Sequence, residues 1–231
     1  MHEPSGIVRS FSVEPLSRTG PVSDDGNMTT NPHSHYPGVA SPDDDAQSRF
    51  DAVLDRLAWE SGHYYLWGEI TDNDARLFHR WVIALVHAGQ HETATLHINS
   101  GGGGVFAGSS VIQSIRHLQS HAVRVTAIIE GQAMSMASII LQAADYRVAS
   151  PLSVLMVHGV SYWNRGDIKN AKVELKMIEA LTQRITDMYV ARAHGVYATR
   201  EHWQTILESA DPTYLLPAEA MAAGLIDAVL P

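Results

Sequence analysis

The sequence predicts an α/β domain built on a buried, mostly parallel sheet, and three observations point to it. Short strand-like runs rich in aliphatic and aromatic residues alternate with helical segments from about residue 46 onward. The chain has 231 residues and a hydrophobic content of 45%, enough to bury one substantial core. The first 45 residues stand apart, holding six of the ten prolines and few large apolar side chains. Residues 1–45 are therefore expected to be a disordered segment or a removable leader, and residues 46–231 the folded domain.

The elements follow in order. A helix opens near Ala46, after Asp43, Asp44 and Asp45, whose charges suit the positive end of a helix dipole. Its apolar positions are Phe50, Val53, Leu54 and Leu57. Tyr64 to Ile70 reads as a short aromatic strand, and Thr71 to Asp74 as the cap of a second helix. Thr93 to Ile98 is a strand, Val105 to Leu118 a helix, Val123 to Ile129 a strand and Ala133 to Ala143 a helix. Tyr146 to Val157 holds two short strands. The longest helix spans Ile168 to His194, with Ile168, Ala171, Leu175, Ile178, Leu181, Ile185 and Met188 spaced three or four apart. That seam suits packing on its own domain or on a neighbouring subunit, and the spacing leaves both open.

Composition removes several functions. A formal net charge of −9 argues against a protein that holds a phosphate backbone. The absence of cysteine excludes disulfides, thiolate zinc sites and cysteine nucleophiles, and agrees with a reducing, cytoplasmic setting. No secretory signal is recognisable in the first thirty residues, and no stretch approaches the roughly 20 apolar residues of a membrane span. His33 with His35, and His87 with His91, have spacings that suit a metal. Neither pair has a clustered carboxylate, so no metal is expected.

Three segments carry chemistry. Ser100-Gly101-Gly102-Gly103-Gly104 follows a strand and leads into a helix. Without Cβ atoms, such backbone N–H groups are free to face a ligand or a developing negative charge. No lysine follows for a phosphate loop, and Phe106 stands where a dinucleotide fingerprint needs glycine. An oxyanion hole or a plain tight turn remains. Gly131-Gln132-Ala133-Met134-Ser135-Met136-Ala137 comes straight after a strand and opens an apolar helix. Small residues two positions either side of Ser135 suit a sharp strand-to-helix turn presenting a nucleophile, with the Met136 N–H free for an oxyanion. The other role open to Ser135 is that of a helix cap. Ser153 to Val157 reads as a buried strand ending in His158, an imidazole suited to general-base work. Asp211, before Pro212, is a candidate to orient that histidine or simply to start a turn.

Together these segments resemble the Clp protease proteolytic subunit family. Ile98-Asn99-Ser100-Gly101-Gly102-Gly103 is similar to the family's Ile-Asn-Ser-Pro-Gly-Gly, Gly131 to Ala137 to Gly-Gln-Ala-Ala-Ser-Met-Gly, and Leu155 to His158 to Val-Met-Ile-His. Glu219 to Asp227 resembles the ending Glu-Ala-x-x-x-Gly-Leu-Ile-Asp. The resemblance implies a crotonase-like spiral of ββα units with the long helix as a protruding handle. It also implies stacked seven-membered rings, a Clp-family ATPase unfoldase as partner and polypeptide substrates. No cofactor is implied for this chain, since ATP would serve the partner. Residue by residue, it makes Ser135 the nucleophile, His158 the base, Asp211 the third triad member, and the N–H groups of Gly103 and Met136 the oxyanion hole.

Departures from the pattern are Gly101 in place of proline, a Ser-to-His interval two residues shorter, Gly159-Val160 after the histidine, and Asp211 one position farther from Glu219 than usual. They leave a catalytically weak paralogue serving as a ring subunit as the alternative. A crotonase-fold acyl-CoA enzyme is another, because Ala143 to Ala149 resembles a segment common there. A signal-peptide peptidase relative would need a lysine base and a membrane anchor.

Overall fold

The computed structural model describes residues 44–161 and 168–231, without the side chains of 44–48, 50, 51, 55 and 168–172. Residues 1–43 of the expected leader, and the side chains of Phe50, Ile168 and Ala171, lie outside what is described. The chain runs through α1 (Asp44–Glu60), β1 (His63–Ile70), α2 (Asp72–Ala88), β2 (Thr93–Gly103), α3 (Val105–Ser120), β3 (Arg124–Met134), α4 (Met136–Leu141), β4 (Tyr146–Ala149), β5 (Val154–Val157), α5 (Ile168–Val190), α6 (Arg200–Glu208), β6 (Thr213–Leu215), α7 (Pro217–Ala222) and β7 (Ala228–Val229). Mixed α/β architecture is what the alternation of patterns predicts.

A seven-stranded sheet in the order β1-β2-β3-β4-β7 carries β5 on β3 and β6 on β5. Every pairing is parallel except that of β5 with β6. Leu66, Leu96, Ile98, Ala127 and Ile129 share one core with Phe78, Val82 and Leu85 of α2 and with Val111, Ile115 and Leu118 of α3. Tyr65 and Trp67, on the other face of β1, are about half exposed. Strand periodicity thus buries only one face at this end of the sheet within a single chain.

Thr71 caps α2 as expected. Its hydroxyl accepts from the Asp74 N–H, and the Asp74 carboxylate accepts from the Thr71 N–H at 2.9 Å.

The boundaries that differ most from the sequence reading lie in β2, at the β3–α4 junction and at the end of α5. β2 continues through the glycines to Gly103 and β3 to Met134, so Ala133 and Met134 belong to a strand and the helix begins only at Met136. Pairing with β1 and β5 holds these segments extended, a tertiary effect that local pattern does not carry. α5 ends at Val190 instead of His194. Its Ile185, like the following Tyr189, is buried, whereas Leu175 is 53% exposed. The seam therefore joins the core only at its C-terminal end. Val53, Leu54 and Leu57 of α1 also stay exposed.

Arg147 locks the C-terminal segment onto β4. Its guanidinium donates to both Asp227 carboxylate oxygens, to Gln142 Oε1 and to the Gly224 carbonyl. Burial alone would raise the Asp227 carboxyl pKa, but hydrogen bonds from the Arg147 side chain and N–H, with the charges of Arg147 and Arg192, hold it below its ordinary value. Among the described residues, no helix is long and apolar enough to cross a membrane.

Candidate active site

Ser135 joins β3 to α4 at φ 53° and ψ −123°. A non-glycine residue at positive φ costs about 1–3 kcal/mol and persists only where its surroundings hold it. Here its N–H donates to the Met156 carbonyl at 2.9 Å, and its own carbonyl accepts from the Ser138 hydroxyl at 2.6 Å. Ser135 occupies the N-cap position of α4, yet its side chain makes no capping bond. Its Oγ instead lies 2.8 Å from Nε2 of His158.

Strand pairing produces that contact. β5 lies beside the extended end of β3, with Gln132, Ala133 and Met134 opposite Val154, Leu155 and Met156. Two residues past Met156 the chain reaches His158, next to Ser135. The imidazole is half-buried, so one nitrogen meets the hydroxyl while the ring stays partly open to solvent.

The glycine run faces the same point. Ser100 is fully buried; its hydroxyl donates to the Gly68 carbonyl at 2.6 Å and accepts from the Gly102 N–H at 3.1 Å. Gly102 adopts φ 102°, and a Cβ there would sit 2.7 Å from Ser135 Cβ, 2.8 Å from the Met134 carbonyl oxygen and 3.1 Å from the Met136 nitrogen. Gly103 pairs with Ile70, against whose backbone any Cβ would collide. These residues form the end of a strand, so the plain-turn alternative does not describe them. Sequence reasoning singled out Gly103 and missed Gly102, the glycine in direct contact with the serine. The run of four glycines was the available signal, and only pairing with β1 and β3 distinguishes its members. Met136 opens α4 with its backbone facing Gly102 and its buried side chain packed on Gly108.

Asp211 lies in the exposed turn between α6 and β6, where its N–H donates to Ser209 Oγ at 3.1 Å. The antiparallel register sets Val157 opposite Thr213, so its continuation puts Pro212 beside His158 and Asp211 beside Gly159. Backbone proximity is present, but among the described residues no hydrogen bond or ion pair joins the Asp211 carboxylate to His158. A groove of about 500 Å³, lined by His158, Gly159, Leu207 and Pro212, lies there. Among the described residues, no group of three or more His, Asp or Glu is placed to hold a metal ion.

A half-buried imidazole bonded to a serine hydroxyl on a strained strand-to-helix turn, with glycine backbone packed against it, is an arrangement suited to acyl transfer. Comparison with known proteins leads the same way. An ATP-dependent Clp protease proteolytic subunit from Deinococcus radiodurans is 33% identical over 138 residues, 58% of this chain and 63% of that relative, so the match spans just under two thirds of the relative's length. The family model for Clp protease matches residues 45–231, which takes in every element from α1 to β7 apart from the first residue of α1, and the chain belongs to the Clp protease family.

Proposed function

We propose that the chain is a serine endopeptidase subunit that hydrolyses peptide bonds in unfolded polypeptides. The 2.8 Å contact between Ser135 Oγ and His158 Nε2 carries this reading. In it, His158 takes the proton as Ser135 attacks the carbonyl, and the N–H groups of Gly103 and Met136 receive the oxyanion, a donor of this kind supplying about 3 kcal/mol. His158 then returns the proton to the leaving amine, and water repeats the cycle on the acyl-enzyme. In the same reading Asp211 is the carboxylate that orients His158. No cofactor enters these steps.

The same reading makes α5 the handle of a crotonase-like spiral that interlocks seven-membered rings. The exposure of Val173 and Leu175 supports a seam with another subunit. It also supplies a Clp-family ATPase as the unfolding partner and a cytoplasmic location. The exposed position of Asp211 favours one second reading, a catalytically weak ring subunit.

Intact mass after treatment with a fluorophosphonate serine probe tests both. One adduct per chain that disappears in Ser135→Ala and His158→Ala supports the peptidase. An assembled protein that takes up no label is the ring subunit instead.

A further inference from the structure

A cavity of about 680 Å³ lies between α3, α4 and α5. Its near wall is Val105, two residues after Gly103, with Met136, directly after Ser135, and Leu181. α5 runs alongside α4 in the same direction, because Tyr189 meets Ser138 while Arg192 meets the Gln142 and Ala144 carbonyls. Stepping back five residues from Tyr189, about 7.5 Å, places Arg184 about 3 Å beyond the level of Ser135, which lies about 4.5 Å before Ser138, a gap that an arginine side chain can span.

The charges in this cavity are unbalanced. Its two acids are engaged elsewhere: Asp145 accepts from the Val125 N–H and from Gln119 Nε2, and Asp187 is paired with Arg200. Arg192 donates to backbone carbonyls. Arg116 and Arg184 also line the cavity, and neither has a hydrogen bond or ion pair among the described residues. An apolar mouth followed by two uncompensated guanidinium groups suits an aliphatic stem ending in a carboxylate.

We propose that this cavity takes the side chain of the substrate residue whose carbonyl Ser135 attacks, and selects glutamate there through Arg184. The proposal rests on the peptidase reading above. Arg116 stands eleven residues along α3 from Val105, about 16 Å, so it adds field at the far end and is not itself reached by one side chain.

Fluorogenic peptides that differ only in having Glu, Gln or Leu before the scissile bond test it. In the wild-type chain kcat/KM for Glu exceeds that for Gln by about fivefold, the upper range for a solvent-accessible ion pair. Arg184→Gln brings this ratio near one, and Arg116→Gln lowers it less. Equal cleavage of Glu and Gln peptides, or a ratio that survives Arg184→Gln, overturns the proposal. Calorimetric binding of N-acetyl peptides ending in Glu-amide or Gln-amide to Ser135→Ala reads the cavity without hydrolysis. If no peptide is cleaved but Glu-amide binds about fivefold tighter in an Arg184-dependent way, the peptidase reading fails while the cavity assignment stands. Equal binding of the two amides overturns the assignment.

Discussion

The Tyr189 hydroxyl lies 2.6 Å from Ser138 Oγ, at the core contact between α5 and α4. Ser138 has one hydroxyl proton and spends it on the Ser135 carbonyl, so the bond between them is donated by Tyr189. α5 thereby braces the strained backbone of Ser135 through two hydroxyl groups. Burial pushes the Tyr189 phenol well above its ordinary pKa, partly offset by its bond to Ser138, so it stays a donor across the working range. Tyr189→Phe is expected to cost about 1 kcal/mol of stability in thermal or urea unfolding. It is also expected to slow probe labelling of Ser135, whereas a purely structural loss would leave that rate unchanged below the transition.

Gly102→Ala sets a methyl group 2.7 Å from Ser135 Cβ and forces alanine to φ 102°. A destabilisation of about 1–3 kcal/mol is expected from the backbone alone. Labelling of Ser135 should fall further than stability, since the serine itself has to move. Gly101→Ala meets open space and provides the comparison.

Asp211→Asn tests the third triad member. In a preformed triad such a change costs about 10⁴-fold. Because the Asp211 carboxylate makes no bond to His158 in this conformation, the fall in labelling rate should be well below that figure and smaller than the loss in His158→Ala.

Asp227 links stability to pH. Its folded pKa lies below the ordinary 3.8, so the unfolded chain binds the proton first on acidification. The stability it contributes is complete above about pH 4 and is lost as pH falls through the folded value. Asp227→Ala, which removes the carboxylate partner of Arg147 and leaves it Gln142 and the Gly224 carbonyl, should cost about 1–3 kcal/mol at neutral pH and flatten the acid limb of a stability profile.

A second pH effect belongs to the sheet face. His63 Nδ1 lies 2.8 Å from His97 Nε2, and His97 Nδ1 lies 2.7 Å from Glu130, with Tyr65 stacked on His97. Burial first, and His97 second, lower the His63 pKa below 6.5. Its contribution is therefore present above pH 6.5 and declines as pH falls through the lower folded value. His63→Asn should reduce the dependence of melting temperature on pH across that interval.

Much of this site is legible along the chain because its signals are local. Periodicity separates strands from helices, Thr71 and Asp74 carry the cap of α2, and small residues around Ser135 mark a sharp turn before a helix. The Ser135 and His158 motifs each follow a strand-like run, with a further short strand between the two in the chain, and nothing in that local pattern brings them together. Their meeting depends on β5 pairing with the last residues of β3, through backbone bonds that carry no side-chain signature. The same holds for the glycines: composition marks the run, but only the ladder with β1 and the approach of Ser135 single out Gly102 and Gly103. Asp211 shows the limit most plainly. Its residue type and neighbourhood are readable from the chain, whereas the direction of its carboxylate is set by the turn between α6 and β6, where Ser209 takes its N–H and the residue is exposed. Patterns of burial and backbone preference are written residue by residue; which strand lies beside which, and where a side chain then points, is decided by long-range packing and hydrogen bonding.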